Sequence, residues 1–96
     1  MLLQIGDVLA EMKDAHINVV GHTDNRPVGS QSRFASNAEL SFARASSALL
    51  FMNRNAGVSS DILSASGLGA GYPIADNNTV EGRTANRRVE FLLRQK

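Results

Sequence analysis

The sequence predicts an α+β domain: a sheet with helices on one face. Three observations carry that prediction. Segments with helical and with strand-like apolar spacing alternate along 96 residues. A Ser-x-x-Glu signature opens the longest helical segment. The last segment alternates apolar and polar residues, with Val89, Phe91 and Leu93 on one side.

Taken in order, Leu2, Ile5, Val8, Leu9 and Met12 form one apolar stripe, predicting a helix over residues 2–14. Residues 16–21 are rich in Ile and Val and end at Gly21, as a buried strand would. Residues 22–35 read as loop, broken by Pro27 and Gly29. The second helix starts at Ser36 as N-cap, with Glu39 three residues on completing a capping box. Its inward face is expected to carry Leu40, Ala43, Ser47, Leu50 and Phe51, widened by Ala45, Ala48 and Leu49, and Asn55 and Gly57 supply its stop. After a connector in which Ser60-Asp61 begins a turn, Leu63–Gly69 reads as a short strand running into a glycine-rich turn. Tyr72-Pro73-Ile74 is expected to be extended. Asp76-Asn77-Asn78-Thr79 caps a short helix over Val80–Asn86, and residues 88–93 form the last strand. The whole reads as one domain, residues 1–96, and the chain is expected to be a piece of a longer protein. One further strand before residue 1 would complete a βαβ unit.

Composition narrows function. A net charge of +1 and 20% charged residues argue against a general nucleic-acid binder, which needs a clear excess of Lys and Arg. Four Phe, one Tyr and no Trp offer few platforms for stacking bases. With no cysteine there is no disulfide, thiolate metal site or Cys nucleophile. No apolar run approaches the roughly 20 residues that cross a bilayer, and the first residues, Met1-Leu2-Leu3-Gln4, do not resemble a signal peptide.

The chemistry concentrates between Asn18 and Ala45, where a strand end and a helix start carry opposite charges. Asp24 follows the strand at a glycine turn, and Arg44 lies on the helix. Asp24 reads either as a turn residue accepting nearby N–H groups or as a ligand carboxylate. Arg44 reads as a surface charge, as an ion-pair partner of Asp24 or Glu39, or as the other jaw of a clamp. A carboxylate and a guanidinium side by side match a zwitterion, the ammonium going to Asp24 and the carboxylate to Arg44. His22 and Asp24 make an HxD pair, but with His16 the only other histidine a metal site lacks ligands, and a hydrogen-bonded His22 is the simpler reading. The serines come with no GxSxG elbow, and Gly67-Leu68-Gly69-Ala70-Gly71 with no following GK[ST] or GxGxxG. Asn86-Arg87-Arg88 reads as a basic patch or as an anchor bonding backbone carbonyls at a helix–strand junction.

Several blocks occur together and in order: Gly21-His22-Thr23-Asp24, Asn37-x-x-Leu40-Ser41-x-x-Arg44-Ala45, Gly67-x-Gly69 with Pro73, Glu81-Gly82-Arg83, and Asn86-Arg87-Arg88-Val89-Glu90. From about residue 2 to residue 93 the chain resembles the OmpA-like peptidoglycan-binding domain. Its extended loop is most similar to the branch of the flagellar stator protein MotB and the type VI secretion anchors, which usually carries Trp where this chain has Ala38. The resemblance implies a βαβαβ-type sandwich of a mixed sheet with helices on one face, whose first strand precedes Met1. It implies non-covalent binding of peptidoglycan, with Asp24 and Arg44 holding the diaminopimelate of the stem peptide. Thr23, Asn37 and Leu40 then line the same groove, with Arg87 close by. It implies no catalytic residue, metal or cofactor, and a membrane-attached full-length protein in the periplasm of a Gram-negative bacterium. The competing reading is an interaction or homodimerisation module of a stator or secretion complex whose wall site is weak or unused. An enzyme cutting peptidoglycan finds no nucleophile, metal set or acid pair here.

Overall fold

The computed structural model describes residues 15–95, so the helix expected over residues 2–14 lies outside the described range. Strand β1, Ala15–Gly21, is the middle of a three-stranded mixed sheet. It runs parallel to β2, Leu63–Gly67, with Ile17 opposite Leu63 and Gly21 opposite Gly67. It runs antiparallel to β3, Val89–Gln95, with Val19 opposite Phe91. A parallel neighbour requires a crossover, and helix α1, Asn37–Asn55, provides it. A 3-10 turn, Ser60–Ile62, leads into β2, and a short helix α2, Val80–Asn86, precedes β3.

The core lies between α1 and one face of the sheet. Ile17 and Val19 point into it and meet Ala45, Met52, Ala56, Val58 and Leu63. The face that α1 buries differs from the expected one. Ser41, Ala45 and Met52 are buried and Ala48 and Leu49 half-buried, whereas Leu50 and Phe51 are 45% and 39% exposed and Ser47 is exposed. The cause is the glycine pair at the ends of β1 and β2. A Cβ on Gly21 would strike the carbonyl of Ser41, and one on Gly67 would strike the backbone of Ala38 and Phe42. Ala38, Ser41 and Phe42 therefore rest almost directly on the strands, and this seating sets which way the rest of the helix faces: Ala45, Ala48, Leu49 and Met52 follow on the inward side at helical spacing. The same seating turns Leu50 and Phe51 outward.

The helix signals are realised with one change. Ser36 is the N-cap, and its Oγ accepts from the Glu39 N–H at 3.2 Å. The Glu39 carboxylate reaches back past the cap to the N–H of Ala35, also at 3.2 Å. At the other end Gly57 takes φ +72°, in the left-handed region that favours glycine, and the Val58 N–H returns to the Met52 carbonyl. β2 stops at Gly67, two residues before the expected end, and Tyr72 and Ile74 sit in exposed bends instead of an extended run. In β3, Val89 and Phe91 pack on the core, but Leu93 stays 52% exposed because α1 lies over β1 and β2 and leaves this outer strand largely uncovered.

Candidate functional site

Beyond Gly21 the chain stays buried for three more residues, His22, Thr23 and Asp24. Backbone bonds tie them in place: the His22 N–H donates to the Arg88 carbonyl at 2.8 Å, and the Thr23 N–H to the Gly69 carbonyl at 2.9 Å. The Gly69 N–H in turn donates to Ser41 Oγ on α1 at 3.0 Å. The strand end, the glycine turn and the first half of α1 are thus one bonded unit.

On that unit Asp24 is 6% exposed. Its Oδ1 accepts from the Arg26 N–H at 3.1 Å, so the turn-capping role is real. Its Oδ2 lies 3.7 Å from the Arg87 guanidinium, which is about half exposed. Asn37, the first residue of α1, donates through Nδ2 to the Arg26 carbonyl at 2.8 Å and straps the loop to the helix start. Asn37, Leu40 and Arg44 follow at i, i+3 and i+7 and share one helix face. All six residues named from sequence, Thr23, Asp24, Asn37, Leu40, Arg44 and Arg87, wall one open cavity of about 190 Å³.

The pairing inside it departs from the simplest expectation. Asp24 is engaged by Arg87, and among the described residues Arg44 forms no ion pair. Glu39, the other candidate partner of Arg44, is turned to the Ala35 N–H. Arg26, Pro27 and Val28 also line the cavity. In sequence they belong to the extended loop that follows Asp24, where no role in the site was expected of them although Arg26 carries a guanidinium of its own.

The remaining candidates serve the scaffold. The buried His22 ring meets the Glu90 carboxylate through Nε2 at 3.2 Å, whereas Asp24 meets the Arg26 N–H and Arg87, so the HxD residues share no partner. Glu90 also accepts from Arg88 Nε at 2.7 Å. The Arg88 hydrogen bond, chiefly, holds the Glu90 carboxyl below its usual value, against a weaker opposing effect of burial. Arg88 further donates to the carbonyls of Asn86 and Tyr72, the junction anchor read from sequence. Asn86, wholly buried, accepts from the N–H groups of Ile74 and Ala75 and donates to the Ala75 carbonyl and to Asn77. It thereby fixes the whole approach to α2. His16 bonds Ser64 Oγ at 2.9 Å on the opposite face of the sheet.

A three-stranded mixed sheet crossed by one long helix, with a strand-end carboxylate and a helix-borne arginine lining one cavity, makes this a small α+β domain. The chain belongs to the OmpA family: the model described as "OmpA family" matches residues 1–87. Among its relatives, Motility protein B of Bacillus subtilis is 39% identical over 90 residues, covering 94% of this chain and 34% of that protein. Peptidoglycan-binding protein ArfA of Mycobacterium tuberculosis is 38% identical over 93 residues, covering 97% and 27%. The chain thus spans about a third or less of these relatives' length. Among solved structures, the C-terminal domain of Helicobacter pylori MotB superposes with a TM-score of 0.91 at 34% identity, covering 99% of this chain and 71% of that one. The cell wall anchor of the type VI secretion system from Pseudomonas aeruginosa gives 0.79 at 39% identity, covering 94% and 61%. The branch named from sequence is the one these neighbours occupy.

Proposed function

We propose that this domain anchors a larger envelope protein to peptidoglycan by holding the free zwitterionic end of diaminopimelate in a stem peptide. One observation carries the reading: the buried Asp24 carboxylate and the Arg44 guanidinium, which forms no ion pair among the described residues, wall the same cavity. The ligand ammonium goes to Asp24, in place of Arg87's loose contact. The ligand carboxylate goes to Arg44, whose planar fork takes two parallel bonds. Asn37 and Thr23 keep the loop and its carboxylate in register with the helix, and Leu40 offers an apolar wall to the ligand's methylenes. Nothing in this requires bond cleavage, and the domain acts as a holdfast. The names of ArfA and of the type VI anchor support the wall as partner. Relatives in Bacillus and Mycobacterium extend the expected location from the Gram-negative periplasm to the bacterial envelope more broadly.

Calorimetry with three stem peptides tests the proposal. Lysine offers Asp24 an ammonium but leaves Arg44 without a carboxylate, forfeiting a charged hydrogen bond worth about 1.5–3 kcal/mol. The diaminopimelate peptide is therefore expected to bind roughly tenfold or more tightly than the lysine peptide. Amidation of that carboxylate is expected to weaken binding similarly. Equal affinities for all three would overturn the clamp.

A further inference from the structure

A second cavity, of about 400 Å³, adjoins the first and is walled by Arg44, Arg87, Arg88 and Val89. The two share Arg44 and Arg87. Arg88 is already neutralised by Glu90 at 2.7 Å, with its other N–H groups on the carbonyls of Asn86 and Tyr72. Among the described residues, the charges left to a ligand are one carboxylate, Asp24, and three guanidiniums, Arg26, Arg44 and Arg87. A bound zwitterion is neutral, so it leaves that excess positive charge in place. It also takes Asp24 away from Arg87, whose contact at 3.7 Å is the looser of the two arginine–carboxylate pairs among the described residues.

We infer that the cavity walled by Arg44, Arg87, Arg88 and Val89 is a second anion subsite, which receives a further carboxylate of the same peptide on Arg87. The inference rests on the clamp reading and adds to it a net negative charge on the preferred ligand. An extended peptide advances roughly 3.3–3.6 Å per residue. The clamp holds the tip of the diaminopimelate side chain, so a carboxylate on a flanking residue is offset from it by that side chain plus about one residue of main chain. The cavity that shares two walls with the first is the neighbouring site that can receive it. Two sources fit: an acidic residue on its N-terminal side, or the terminal carboxylate of a residue on its C-terminal side. Arg87 can release Asp24 at little cost, because its side chain is 46% exposed and stays tethered by its bond to Thr84 Oγ1 on α2.

The experiment is calorimetry on the whole chain and its Arg87→Gln variant. The ligands are a synthetic stem peptide with both flanking carboxylates free and two single amides, one at each position. The clamp carboxylate is left intact throughout. In the wild type, amidation at one of the two positions is expected to weaken binding about tenfold or more, which identifies the source. In Arg87→Gln the same amidation is expected to have little further effect, because its partner is gone. If acid and both amides bind equally while Asp24→Asn still blocks binding, the subsite is overturned and the clamp stands. An amidation penalty of the same size in Arg87→Gln also overturns it. If the free-acid peptide does not bind the wild type, clamp and subsite fall together.

Discussion

Replacing Asp24 with Asn separates two roles that this side chain combines. The first is structural: Oδ1 accepts from the Arg26 N–H at 3.1 Å, and an amide oxygen of the same shape can do that equally well. The second is electrostatic, and Asn cannot perform it. Within the folded protein the lost charge costs only the contact to Arg87, which is 3.7 Å long and half exposed. Such pairs contribute about 0–1 kcal/mol. For a domain of this size 1 kcal/mol corresponds to roughly 4–8 °C, so the melting temperature is expected to fall by no more than about 8 °C. Toward a ligand ammonium the loss is larger. The carboxylate is 6% exposed, and a charged hydrogen bond at such a site is worth about 1.5–3 kcal/mol. That is roughly a tenfold to hundredfold loss of affinity. Co-sedimentation with insoluble wall sacculi, read beside thermal unfolding by circular dichroism, measures both. Undiminished retention on sacculi would refute the clamp. A fall of more than about 10 °C, well beyond a surface ion pair, would show that Asp24's main role is to hold the turn.

Two further perturbations probe the scaffold. Gly21→Ala drives a Cβ into the Ser41 carbonyl, with backbone on both sides and no flexible side chain to yield. Overpacking of this kind typically costs about 1–3 kcal/mol, and lifting α1 also moves Arg44 relative to Asp24, so the melting temperature and sacculus retention are expected to fall together. An unchanged melting temperature would mean that the helix is not seated on the strand. Glu90→Gln is expected to change the acid limb of the stability curve. The carboxyl of Glu90 titrates below its usual value near 4.5, so its stabilising contribution is complete above about pH 4.5 and lost as the pH falls through its lowered value. Glu90 is 38% exposed, so the variant should trail the wild type by less than about 1 kcal/mol at neutral pH. The difference should close in acid, and chemical denaturation at pH 7 and about pH 3 would detect a gap that persists.

Local and sequential features were decided by the sequence alone. The strand through Ile17 and Val19, the Ser36 cap, the Gly57 stop and the Thr79 cap of α2 each follow from a few neighbouring side chains acting on their own backbone. The six cavity residues were also named from sequence, through blocks whose order along the chain is itself information. Tertiary structure decided matters of distance between segments. The inward face of α1 was misread because apolar spacing favours Leu50 and Phe51, whereas the close approach of Ala38, Ser41 and Phe42 to the Gly21–Gly67 pair fixes the helix with Ala45 and Met52 inward. Asp24's partner is likewise a matter of packing. Arg44 is nearer in sequence, but Arg87, brought in where α2 leads into β3, stands against the carboxylate. Helical period and capping act over a few residues, but which arginine meets a carboxylate depends on how elements more than 60 residues apart in the chain come to rest on one another.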